Sequence, residues 1–78
     1  MSYQEQVAGN VRAEAERYRV PVADMAEAIG VSTGSMYARL SGDREIRLRE
    51  LPILARVIGV PLSRLTEPQQ IQQIPAAA

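Results

Sequence analysis

The sequence predicts an all-α fold: a compact five-helix domain over residues 1–65 and a flexible Pro/Gln/Ala-rich tail over residues 66–78. Three observations carry this expectation. Apolar residues recur every three or four positions in successive segments, and no segment reads as a strand. Gly30, Gly42 and Gly59 each close one of those apolar patterns, as helix-ending glycines do. Pro21, Pro52 and Pro61 fall near helix starts, where a missing N–H costs nothing. A chain of 78 residues buries only about 60–65% of its unfolded surface, so such helices must share one core.

The elements follow in order. Ser2 and Glu5 have the spacing of a capping box, which predicts a first helix from about Tyr3. Tyr3, Val7, Val11, Ala15 and Tyr18 form its apolar stripe, leaving Glu5, Arg12, Glu14, Glu16 and Arg17 mostly to solvent. Pro21 disfavours helical geometry at Val20 and opens a second helix over about 21–29, whose inward face is Val22, Met25, Ala26 and Ile29. Gly30 ends that helix in a left-handed conformation. Ser32 caps a third helix, in which Met36 and Leu40 point inward and Gly42 is the stop. Small Ala26 suits a steep, close crossing of the second and third helices. Leu48, Leu51, Leu54, Ala55 and Ile58 make the stripe of a fourth helix. It begins no earlier than about Leu48, because Pro52 is tolerated only in a first turn. Pro61, Leu62 and Leu65 read as a last short helix. The segment "TEPQQIQQIPAAA" then loses all amphipathic period; Ile71 and Ile74 are left either flexible or packed on a partner subunit.

Composition removes many functions. Without cysteine or histidine there is no disulfide frame, no thiolate or imidazole metal site and no histidine-assisted nucleophile, so neither an enzyme nor a cofactor is expected. Acid pairs such as Glu14 and Glu16 sit on a solvated face with no pocket signal. No apolar run reaches the ~18 residues that cross a bilayer, and "MSYQEQ" lacks the pattern of a signal peptide. The expectation is a cytoplasmic protein with no membrane partner.

Nine acidic and nine basic residues cancel, but they are unevenly placed. Residues 1–30 hold three arginines against five acids, and residues 31–66 hold six arginines against three acids. All nine cations are arginine, a bias that coding composition explains better than phosphate or guanine recognition does. The positive half is the half after Gly30.

Taken together, "VADMAEAIGVSTGSMYARLSG" and "LPILARVIGVPLSRL" resemble the helix-turn-helix repressors of the phage Cro and cI type, also called the XRE family. The resemblance covers about Val20 to Leu65. It implies a Cro/cI-like DNA-binding domain whose third helix enters the major groove, which at about 12 Å accepts a helix of this width. Mapped residue by residue, the base-reading positions are Thr33, Gly34, Tyr37 and Ala38, with Arg39 able to reach a guanine or a phosphate. Ser32, Ser35, Arg44 and Arg47 are the candidates for phosphate contact. Helix two opens with Pro21, Val22 and Ala23 where the family often has a polar residue, so phosphate bracing must come from elsewhere. Each residue also has a plainer reading. Thr33 and Ser35 cap a helix, Tyr37 covers the core edge, Arg39 pairs with Asp43 four residues on, and the arginines of "GDREIRLRE" are neutralised by their neighbours.

The resemblance implies a transcriptional regulator, a small repressor that occupies double-stranded operator DNA. It would act as a two-fold homodimer on an inverted repeat, paired through the fifth helix and tail, and needs no small-molecule ligand. Two alternatives stay open at this point: an excisionase-like architectural protein that bends DNA, and an antirepressor- or antitoxin-type interaction module without DNA.

Overall fold

Ser2 and Glu5 form the reciprocal cap that their spacing predicts. The Glu5 N–H donates to Ser2 Oγ at 3.1 Å and the Ser2 N–H donates to Glu5 Oε1 at 3.2 Å. From this cap starts α1, Tyr3–Arg17, in a computed structural model that describes residues 2–68. The other elements are α2, Val22–Ile29; α3, Thr33–Ser41; a single 3-10 turn, Leu48–Glu50, running directly into α4, Leu51–Ile58; and α5, Ser63–Thr66. No strand occurs among the described residues, and the fold is all-α. The expected tail, apart from its first three residues, lies outside the described residues, as do Ile71 and Ile74. Thr66, placed in that tail by the sequence, is the last residue of α5.

Chain reversal after α2 needs a positive φ. Gly30 supplies it at +76°, and the Val31 N–H closes on the Ala26 carbonyl at 3.0 Å. Ser32 then caps α3, its Oγ accepting the Ser35 N–H at 3.1 Å. Three residues thus separate two short helices that pack on each other. At the end of α1 a non-glycine does the same work: Arg19 sits at φ +56°, a conformation that costs an L-residue about 1 kcal/mol or more.

The core takes Val7, Ala8, Val11 and Ala15 from α1, Met25 and Ala26 from α2, Met36 and Leu40 from α3, Leu51, Leu54, Ala55 and Ile58 from α4, and Ile46 and Leu65 from the segments between and after. Each large side chain in it contributes about 1.5–3 kcal/mol of burial. α1 spans α3, α4 and α5, and α2 lies against α3 and α4. Asn10, buried in α1, ties down the chain end by donating from Nδ2 to the carbonyls of Leu65 at 3.1 Å and Glu67 at 2.7 Å.

Four expectations change. Pro21 is the cap of α2 rather than its first helical residue. Tyr3 and Tyr18 leave the apolar stripe of α1 because they sit at its two ends, and both are at least half exposed. Leu48 is 77% exposed: it opens a 3-10 turn ahead of α4, and the buried stripe of that helix starts only at Leu51. Glu14 is half-buried, not solvated, with its Oε1 3.8 Å from Nη1 of Arg64 on α5.

Candidate nucleic-acid interface

α3 has two sides of different character. Met36 and Leu40 anchor one in the core, and its far end is held by α1: Arg12 Nη1 donates to the Leu40 carbonyl and Gln4 Nε2 to the Gly42 carbonyl at 3.4 Å. A cation at the carbonyl end of a helix also suits its dipole. The other side begins with exposed Ser32, Thr33 and Gly34 and continues through Tyr37, which is 58% exposed, and half-buried Ala38. A Cβ built on Gly34 would meet nothing within 4 Å. The fold therefore makes no steric demand for glycine there, and its smallness is open to a partner that approaches closely.

Tyr37 is exposed and yet borders the core. Its exposed ring also lines an open cleft of about 350 Å³ together with Arg12, Ala15, Val20, Val22 and Met25, at the seam of α1, α2 and α3.

Arg39 corrects the sequence reading. The sequence offers it a guanine, a phosphate or, more plainly, a pair with Asp43, and the structure buries it against Glu50 instead. Only 5% exposed, it makes a two-pronged ion pair with Glu50: Nε donates to Oε1 at 3.1 Å and Nη2 to Oε2 at 3.2 Å. Its remaining nitrogen, Nη1, donates to the carbonyl of Ser35 at 3.3 Å and to Ser35 Oγ. A guanidinium so enclosed, with all three of its nitrogens engaged inside the fold, presents no fork to a guanine edge. The reason lies in helix geometry: Arg39 falls three residues after Met36 and one before Leu40, on the same inward arc. Ser35 is correspondingly half-buried, its oxygens turned to Arg39 rather than wholly to solvent.

Glu50 is the hub of the segment between α3 and α4. Its Oε1 also accepts the Arg47 N–H at 3.1 Å. Burial pushes its carboxyl pKa up, but the hydrogen bonds from Arg39 and Arg47, with the charges of both, outweigh that and hold it below the ordinary 4.5. The sign for stability follows. The folded carboxyl binds its proton less tightly than the unfolded one, so its contribution is fully present above pH 4.5 and is lost as pH falls through the lower folded-state value. Urea unfolding followed from pH 6 down to pH 3 should show a loss of stability below pH 4.5 that is smaller in Glu50→Gln.

Consuming Glu50 leaves its neighbours free. Arg44, Arg47 and Arg49 are exposed, and among the described residues none of their side chains forms an ion pair. Asp43 and Glu45 are exposed nearby and likewise unpaired among those residues. No ion pair forms within "GDREIRLRE" among the described residues, although the Arg47 charge acts on Glu50. The three exposed arginines follow α3 in the chain, and the start of their segment is pinned by the N–H groups of Asp43 and Arg44 donating to the Ala38 carbonyl at 2.9 and 3.1 Å.

Sequence reasoning missed the Arg39–Glu50 pair, the Arg12 and Gln4 contacts to α3, and the Asn10 latch. Among the described residues no cluster of acids could hold a metal ion, and no helix is long and apolar enough to cross a membrane. Comparison of the chain with family models, with curated proteins and with solved structures finds no match.

Proposed function

We propose that this chain is a sequence-specific double-stranded DNA-binding transcriptional regulator, a small Cro-type repressor that lays α3 in the major groove of an operator. One observation carries the reading: the uncharged, small-residue opening of α3, with exposed Tyr37 a turn later, adjoins a segment bearing three exposed arginines whose side chains form no ion pair among the described residues. In this reading Thr33, Gly34, Tyr37 and Ala38 face base edges. Thr33 can hydrogen-bond a base or touch a thymine methyl, Tyr37 can donate its hydroxyl, and Ala38 offers an apolar contact. Ser32, Ser35, Arg44 and Arg47 meet phosphates and set the register. No chemistry is required; occupancy of the operator is the activity. With so few groups able to reach bases, one protomer binds modestly, and a two-fold dimer on an inverted repeat supplies the rest. Leu62, 43% exposed just before α5, lies on the surface where the partner would pack.

The phosphate assignment is tested by salt dependence. Arg44→Ala and Arg47→Ala should each weaken binding to all duplexes alike and lower the slope of log affinity against log salt by about one. Unchanged slopes would remove these arginines from the interface.

A second reading, an interaction module of antirepressor or antitoxin type, draws on zero net charge and on exposed Tyr3 and Leu48, which line a shared small groove. Binding to a partner protein with no measurable affinity for DNA at low salt would favour it.

A further inference from the structure

We propose that the buried Arg39–Glu50 pair positions the DNA-binding surface: it fixes the base-reading end of α3 relative to the arginine-bearing segment 43–49, and so serves discrimination between DNA sequences. The inference rests on the DNA-binding reading above and assigns a role to two residues that touch no DNA in it.

The linkage is continuous. Ser35, in the opening turn of α3, accepts from Arg39 Nη1; Arg39 forks onto both oxygens of Glu50; Glu50 Oε1 accepts the backbone N–H of Arg47. Among the described residues these are the only side-chain hydrogen bonds that join α3 to residues 45–50. Backbone bonds to Ala38 hold Asp43 and Arg44, but they stop short of Arg47.

Stability alone does not call for ions at this place. An apolar pair of similar volume fills a buried site with equal or better stability, because neither partner then has to be stripped of water. What an apolar pair lacks is direction. A planar fork on a carboxylate sets both distance and angle, and Glu50 passes that constraint to the main chain at Arg47. Base reading needs such constraint: side chains must be held within roughly 0.5 Å of the productive geometry, and phosphate contacts help only if they place the helix in the right register.

The test uses the full chain and two duplexes of equal length: one enriched by the wild type from a random pool, the other its shuffled sequence. The variant is Arg39→Met combined with Glu50→Leu, measured where circular dichroism shows it folded. The expected result has three parts. Affinity for the shuffled duplex stays within about twofold; the enriched-to-shuffled ratio falls about tenfold or more, equivalent to losing one well-matched base pair; and the Arg47 amide, its acceptor gone, exchanges with solvent faster. An unchanged ratio in the folded variant would overturn the proposal and reduce the pair to packing. Should the double variant not fold, Glu50→Gln, which keeps the side-chain shape, is read by the same ratio, and an unchanged value there overturns the proposal as well. Wild-type protein that binds neither duplex would fail the DNA reading itself, and the proposal with it; that outcome is recognised before any variant is made.

Discussion

Arg39→Met alone is expected to cost about 3–5 kcal/mol of folding stability, because it leaves the Glu50 carboxylate buried without its counter-charge. A domain of this size has only roughly 4–12 kcal/mol in total, so the single variant should unfold at much lower urea and sit near its melting transition at 37 °C. Glu50→Leu should be as damaging for the mirror-image reason: Arg39 would keep its charge with only Ser35 to solvate it. The combination of both should return to within about 1–2 kcal/mol of the wild type, since the cost of each single change is mostly the orphaned partner. Urea denaturation of the four proteins forms a double-mutant cycle, and its coupling energy is the quantity to read. Near-additive losses would mean that the pair is solvated in solution and not the enclosed fork described here.

Met36→Ala comes next in expected effect, at about 2–5 kcal/mol. Met36 has no exposed surface and, with Leu40, seats α3 in the shared core. The loss should exceed that of Ile58→Val, a smaller deletion in the same core, for which about 0.5–1.5 kcal/mol is expected. Because Met36 contacts no DNA in this account, affinity measured at low temperature should fall only in proportion to the unfolded fraction. A loss of sequence preference in fully folded Met36→Ala would show that α3 shifts in its seat.

Most of the fold was legible from short-range chemistry. Ser2 with Glu5, Ser32, Gly30, Gly42 and Gly59 mark helix ends through groups at most four residues away, and the period of Leu51, Leu54, Ala55 and Ile58 declares its own face. Pro52 placed the start of α4 because only a first turn can spare an N–H. What escaped depends on contacts that no local spacing encodes. Arg39 and Glu50 are eleven residues apart, and the nearer Asp43 offered the more familiar four-residue pairing. A signal was nonetheless present: Arg39 shares the arc of Met36 and Leu40, and a cation on an inward face needs an acid opposite it. Leu48 misled for the opposite reason. Its spacing matches the stripe of α4, yet it belongs to the 3-10 turn that precedes that helix. The candidate site divides in the same way. The exposed opening of α3 followed from the cap and the apolar pair behind it, whereas the freedom of Arg44, Arg47 and Arg49 depended on where Glu50 had been spent.

The central claim is that α3 reads DNA sequence, and selection of bound duplexes from a random pool at about 0.15 M salt, run in parallel with the wild type and Tyr37→Ala, tests it most directly. The account predicts an enriched inverted repeat with half-sites about one helical turn apart, and relaxed preference within each half-site for Tyr37→Ala. No enrichment by the wild type, with no binding even when salt is lowered, would contradict it.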